Sequence, residues 1–512
     1  MTALRAVVVA GCAAASALAG LRWLRVAQRE HYLPGAVSRF AVRWWRQDGV
    51  SVVGAAAAVA GAVTASWWPA TGLVTAVVVA AGPPRLGLRG RTSPLAWTRR
   101  LKTLAAVWAA LVVVAVGLTV SAGVGPLGAA VVALAVPVLV DLGCALAAPF
   151  ERAAAQRHVR RAAERLRRVA PAVVAITGSY GKTGTKGYVA HLVAGSKTVV
   201  ASPASFNNRA GLARAVNESL VEGTEVFVAE MGTYGRGEIA ELCSWLVPDV
   251  AVITAVGPVH LERFGSEDRI VEAKAEILAG AGSAVLNVDD PRLAALADTG
   301  EKEGRRVRRV SGTASGADVC VRDDGGGLNL FVDGAEVARP PAGAQPGNVA
   351  CAVAVALELG VPLEEIARRV GTLPTAPHRL ESGVGTGGFT VLDDTYNANP
   401  AGARAALHAL ETTAPPSARR VVVTPGLVEL GPKQVEENTS FARAVAEVAD
   451  DLVVVGRTNR RALLAGARTV GEGAALRCVV VERRDQAVAW VRDQLGTGDV
   501  VLYENDLPDH YP

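Results

Sequence analysis

A chain of 512 residues is long enough for three or more units of about 100–200 residues each, which excludes a single small domain. Half of the residues are hydrophobic and they crowd into residues 1–150, so the chain is not uniformly soluble in character. The net charge of +5 comes largely from arginines beside those apolar stretches, which favours anionic lipid over nucleic acid, and six scattered cysteines without a CxxC pair exclude a zinc ribbon or a disulfide framework.

Five apolar runs occupy the first 150 residues, at 4–21, 50–67, 70–82, 102–122 and 126–148. Those near twenty residues are long enough to cross a hydrocarbon core. Arginines fill the stretches 22–49, 83–101 and 151–168, and positively charged flanks stay in the cytoplasm. The remaining connections, Trp67-Trp68-Pro69 and Ser121 to Gly125, are short and uncharged, as outward-facing hairpin tips would be. The expectation is a multi-pass membrane region, 1–150, with five spans and the following domains cytoplasmic. A competing reading takes Ala17-Leu18-Ala19 as a signal-peptide cleavage site, leaving four spans and the same orientation. Residues 151–170 then read as a basic amphipathic linker helix lying on the lipid surface.

Val173-Val174-Ala175-Ile176 has the composition of a strand covered on both faces, and it runs into Thr177-Gly178-Ser179-Tyr180-Gly181-Lys182-Thr183. Gly178 and Gly181 let the backbone turn tightly and approach a ligand. A helix beginning near Lys182 would direct its free N–H groups and positive dipole end into that turn, which suits a phosphate. Lys182 offers a charge for terminal phosphates and Thr183 a hydroxyl for Mg²⁺. Only two residues separate Gly178 from Gly181, where the common P-loop has four. Any glycine turn between a strand and a helix gives the same text, so this stretch alone leaves nucleotide binding open.

Further along, a polar loop carries the paired Asn207 and Asn208, and a strand, Val226 to Met231, brings Glu230 to its carboxyl end. In an open parallel sheet, ligand groups gather at such ends, so this acid is placed to reach a metal. The next strand, Val250 to Thr254, leads to Gly257-Pro258-Val259-His260-Leu261-Glu262-Arg263-Phe264-Gly265, and the following helix contains Lys274. Val285 to Asp290 ends another strand in polar groups, including Asn287. Residues 301–340 read as small antiparallel strands in an insertion, and Gly347-Asn348 opens an Ala/Val-rich helix. A second α/β unit with its own sheet begins near Pro377, with strands expected at 391–394, 420–424, 451–456, 477–481 and 499–503.

Four features together resemble the Mur ligase family, most closely its MurF type: Thr177 to Thr183; Glu230-Met231-Gly232 with Gly237-Glu238-Ile239; His260 to Gly265 with Ala273-Lys274-Ala275-Glu276; and Asp393-Asp394-Thr395-Tyr396-Asn397-Ala398-Asn399-Pro400. The resemblance covers roughly residues 171–505. It implies a P-loop-containing central ATP-binding domain, 171–376, and a Rossmann-like C-terminal domain, 377–512. It also implies an ATP- and Mg²⁺-dependent acid–amino-acid ligase that works through an acyl phosphate. In that type, D-alanyl-D-alanine is joined to UDP-N-acetylmuramoyl-tripeptide. Lys182, Lys274 and His260 would be the catalytic set. Thr177, Gly178, Ser179, Gly181, Lys182, Thr183, Asn287, Asn348, Arg379 and Asp394 would hold the nucleotide. Thr183, Glu230, His260 and a carbamylated Lys274 would ligate metal. Asn207, Asn208, Asn397 and Asn399 are the candidate substrate contacts.

Three departures bear on the substrate. Apolar runs stand where the family's UDP-sugar-binding domain would be, which favours a lipid-linked or membrane-proximal carboxylate acceptor. The family's histidine just before Asn348 is absent from Gly343-Ala344-Gln345-Pro346-Gly347, and Glu504-Asn505 replaces an expected Gly-Ser-Arg turn. The incoming amine is therefore left as an amino acid or a dipeptide. Alternatives are a ligase similar to the membrane-associated poly-γ-glutamate synthases, or a nucleotide-binding membrane scaffold without catalysis.

Overall fold

The computed structural model describes all residues except 1–2, 89–94, 204–205, 315, 375–380, 396–398, 469–475, 508–509 and 512. It divides into two compact units, one of residues 1–154 with 456–458 and 507–512, the other of residues 155–455 and 459–506.

The first unit is helical. Two of its helices, Ala3–Arg29 and Arg99–Ser121, are long and apolar enough to cross a membrane. The second and third apolar runs fold as helices of 16 and 10 residues, Gly49–Thr64 and Gly72–Ala81. At 1.5 Å per residue these reach only about 24 and 15 Å, short of a core about 30 Å thick. Ala36–Trp45 with Gly49–Thr64, and Gly125–Leu134 with Val136–Val169, each form a bent pair, at 111° and 69°. Counting each bent pair as one span gives four, so the expectation of five is corrected to two, or at most four. The last apolar run and the expected linker stretch share one continuous helix of 34 residues, Val136–Val169.

Buried charge in this unit serves helix ends. Arg22, expected in a polar spacer, lies within the first helix and donates to Val79 O, Ala80 O and Gly82 O at 3.4, 2.5 and 3.2 Å. Val79 and Ala80 lie in the last turn of Gly72–Ala81 and Gly82 caps it, where carbonyls lack a partner within the helix. Asp141 accepts from the Val37 and Ser38 amides at 3.1 and 2.8 Å, at the positive end of Ala36–Trp45. The distant segments join in the same manner: His510 Nε2 lies 3.1 Å from Glu30 Oε1, and Arg457 Nη1 lies 2.9 Å from Asp48 Oδ2.

The second unit holds two sheets. The first contains β1 (Ala172–Thr177), β2 (Val199–Ala201), β3 (Val226–Glu230), β4 (Val250–Ile253), β5 (Ser283–Asn287), β6 (Arg306–Ser311), β7 (Val319–Asp323), β8 (Leu328–Val332) and β9 (Ala335–Ala338), in the order β2-β3-β1-β4-β5-β6-β7-β8-β9. Strands β1 to β7 pair in parallel, and β8 and β9 extend the sheet in antiparallel pairs. The segment expected as an insertion is therefore an extension of the main sheet.

β1 lies inside this sheet between β3 and β4, and its side chains feed two cores alternately. Val173 and Ala175 point into one with Phe227 and Ala229, while Val174 and Ile176 point into the other with Val226 and Val228. Burial on both faces is why the strand reads as an unbroken apolar run. The helix Pro346–Glu358 is buried from Val349 to Ala356, and its Ala-rich composition suits close packing against the sheet.

The second sheet contains β10 (Glu381–Val384), β11 (Thr390–Asp394), β12 (Arg420–Thr424), β13 (Asp451–Val455), β14 (Arg477–Val481) and β15 (Val500–Glu504), in the order β10-β11-β15-β12-β13-β14. All pairs are parallel except β10 with β11. The fold class is thus an α-helical region followed by two α/β domains, as the sequence implies. The expected domain boundary at 376/377 falls outside the described residues.

Candidate active site

β1 delivers the chain to its carboxyl edge at Thr177, and the helix Lys182–Val193 starts after a four-residue turn. Gly181 caps that helix with φ +79°, and a Cβ there would lie 2.2 Å from Asn348 Oδ1. Conformation and space both demand glycine. Neighbouring strands lace the turn in place. Ser179 Oγ accepts from the Gly257 amide at 3.0 Å, and Thr254 Oγ1 donates to Thr177 O at 3.2 Å and to Tyr180 O. Lys182 Nζ donates to Gly178 O at 2.7 Å, so its charge lies over the loop.

Glu230 ends β3, buried, and three groups hold its carboxylate. Thr183 Oγ1 donates to Oε2 at 3.0 Å, Lys186 Nζ lies 3.1 Å from the same oxygen, and Asn207 Nδ2 donates to Oε1 at 3.2 Å. A P-loop hydroxyl and an acid thus meet, as a shared metal would require. Lys186 was not expected, although it stands three residues after Thr183, on the same helix face.

Lys274 is buried in the helix Glu267–Ala275. Desolvation first, then the positive charge of Lys182, holds its amine well below the usual lysine range. Asn287 Nδ2 donates to Thr254 O at 2.9 Å, and Asn348 faces Gly181 and Gly184. These expected nucleotide positions therefore surround the loop.

Other expectations part from this cluster. Asn208 Oδ1 accepts from the Gly211 amide at 3.0 Å and Asn399 Oδ1 from the Gly402 amide at 2.9 Å, so both oxygens cap helices. Arg379 and Asn397 lie outside the described residues. Asp394 ends β11, in register with Glu504 on β15. Glu504, read from sequence as tail, is fully buried; desolvation first, then Asp394, raises its carboxyl well above the usual range.

His260 adopts φ +59° and its Nδ1 is bonded to Glu429 Oε2. Among the described residues, no three His, Cys, Asp or Glu side chains converge on one point as a metal set. Thr183 and Glu230 bring together adjacent oxygen donors of the kind Mg²⁺ prefers. The glycine cradle, the helix N-terminus and Lys182 likewise fit a nucleotide phosphate chain.

Comparison with known proteins agrees with this geometry. Residues 176–340 match the Mur ligase middle domain and residues 378–503 the Mur ligase glutamate ligase domain. The UDP-N-acetylmuramoyl-tripeptide–D-alanyl-D-alanine ligase of Mycobacterium bovis is 36% identical over 366 residues, 64% of this chain and 69% of that protein. Among solved structures, MurF from Acinetobacter baumannii superposes with a TM-score of 0.59 at 26% identity, over 69% of this chain and 77% of that one. MurF from Thermotoga maritima, in complex with ADP, gives 0.56 at 26% identity, over 69% and 80%. The chain belongs to the Mur ligase family of ATP-dependent ligases, which form carbon–nitrogen bonds.

Proposed function

We propose that this chain is a MurF-type ligase that joins the carboxylate of a cell-wall precursor to the amine of an amino acid or dipeptide. The observation that carries this reading is the meeting of Thr183 and Glu230 at the mouth of the glycine loop, beside the charge of Lys182. A carboxylate is a poor electrophile. Its oxygen attacks the γ-phosphorus of ATP, ADP leaves, and an acyl phosphate forms. The amine then attacks the acyl carbon, phosphate departs, and the nitrogen loses a proton. Lys182 and the loop amides neutralise charge on the transferring phosphoryl group, with no nucleophilic side chain required. Bound Mg²⁺ would supply further neutralisation, held by Thr183, Glu230 and His260.

Lys274 completes this set as a carbamate. Its burial favours the neutral amine, which can attack CO₂ with loss of one proton and become an anionic ligand. A carbamate carbon signal from ¹³C-bicarbonate, present in the full-length protein and missing from Lys274→Ala, is the expected result. An identical signal in the variant contradicts the assignment.

Two long apolar helices support attachment to a membrane, with the ATP-using unit on the cytoplasmic side. The relatives' names make UDP-N-acetylmuramoyl-tripeptide with D-alanyl-D-alanine the first substrates to try. Phosphate release should be measured against this pair, against single amino acids, and with a lipid-linked precursor as acceptor. Release that needs both an acid and an amine supports the reading. Nucleotide binding with no release from any pair favours a scaffold instead.

A further inference from the structure

Residues 429–433 of the C-terminal domain meet the central domain, with Glu429 at His260 and Lys433 Nζ 2.6 Å from Glu267 Oε1. Glu429 presents both carboxylate oxygens there: Oε2 bonds His260 Nδ1, and Oε1 lies 3.3 Å from Arg263 Nη2. The Glu262 amide donates to Glu429 O at 3.3 Å. The junction is tight enough to constrain its backbone. His260 and Glu429 adopt φ +59° and +64°, uncommon for residues with side chains. Gly431 adopts φ +54°, and a Cβ there would lie 3.0 Å from Glu262 N. Tyr234, four residues past Glu230, sets its ring 5.0 Å from the imidazole at 70°, and the Arg263 guanidinium lies 4.7 Å from the Tyr234 centroid.

We infer that Glu429 is a positioning residue for the metal centre: docking of its loop orients His260, so that closure of the C-terminal domain and metal binding are coupled. A carboxylate paired with a guanidinium only accepts hydrogen bonds, so Nδ1 carries the proton. In the neutral ring Nε2 then holds the lone pair. This is the arrangement in which a carboxylate fixes the tautomer of a metal-binding histidine and raises its basicity. Here the orienting carboxylate comes from a different domain than the ligand it orients. The metal site of the central domain is complete only when residues 429–431 are seated.

The inference rests on reading His260 as a metal ligand, and its test separates the two claims. Mn²⁺ affinity is read by electron paramagnetic resonance on full-length protein saturated with ADP, for the parent, His260→Ala, Glu429→Ala and Glu429→Gln. ADP affinity without metal serves as the folding control. Glu429→Ala should weaken Mn²⁺ on the order of 10–100-fold with ADP affinity unchanged. Glu429→Gln can still accept from Nδ1–H but lacks the charge, so it should fall between Glu429→Ala and the parent. If His260→Ala weakens Mn²⁺ while both Glu429 variants match the parent, the coupling is refuted and the ligand reading survives. If His260→Ala also matches the parent, both claims fail. Should Glu429→Ala lose ADP as well, the Gln variant decides.

Discussion

Glu504 shows how a single residue can carry a pH dependence that its neighbours do not. Its carboxyl sits buried beside Asp394, and desolvation, reinforced by that charge, raises its folded-state pKa well above the unfolded value. Between those two values the unfolded chain has released a proton that the folded chain keeps. Stability from this group is therefore greatest below the unfolded pKa and falls as pH rises towards the folded one. Glu504→Gln mimics the protonated acid. It should be at least as stable as the parent at neutral pH and should show a flatter stability–pH curve in denaturant titrations. A steeper curve contradicts the assignment. Sequence alone could not show this, because a glutamate near the end of a chain normally reads as solvated. Lys182, Thr183 and Glu230 are legible from local surroundings, a glycine turn and a strand end, whereas Lys274 is marked only by the resemblance to the Mur ligases. Glu429 is not legible, since its partner His260 is 169 residues away and nothing local marks the pairing.

At the scale of elements, legibility follows the reach of the forces involved. The unbroken run Val173 to Ile176 predicts a doubly covered strand, and β1 lies between β3 and β4. Helix starts are likewise visible at glycine before a regular pattern, as at Gly181 and at Gly347-Asn348. Two features differ. Residues 301–340 read as small antiparallel strands in an insertion; β7, β8 and β9 pair in that way, yet β6 pairs with β5 and makes them part of the main sheet. Strand pairing is a long-range choice that the sequence of either partner does not encode. The apolar runs at 50–67 and 70–82 read as spans on composition, the second a short one, but their helices stop at Thr64 and cover only Gly72–Ala81. Asp48 caps Gly49–Thr64 at one end, and Pro69 opens a separate turn beyond the other. The first is a local hydrogen bond and the second a missing amide, and together they set helix length more strictly than hydropathy does.

For the molecule as a whole, the arrangement joins a region with two membrane-length helices to a pair of α/β domains that share one site. The first holds helices long and apolar enough to cross a membrane, and the second holds a glycine cradle, a buried lysine and the acid at the end of β3. Neither sheet alone holds the full set, because His260 is finished by a residue from the C-terminal domain. The proposed function requires that ATP be cleaved at this cradle to drive amide formation. Amine-dependent ADP release, measured on the full-length protein and on Lys182→Ala and Lys274→Ala, tests it most directly. The predicted result is a loss of at least about 10²–10³-fold in each variant, the scale of removing one group that stabilises transition-state charge. ADP release that continues at the parent rate without either lysine would contradict the claim.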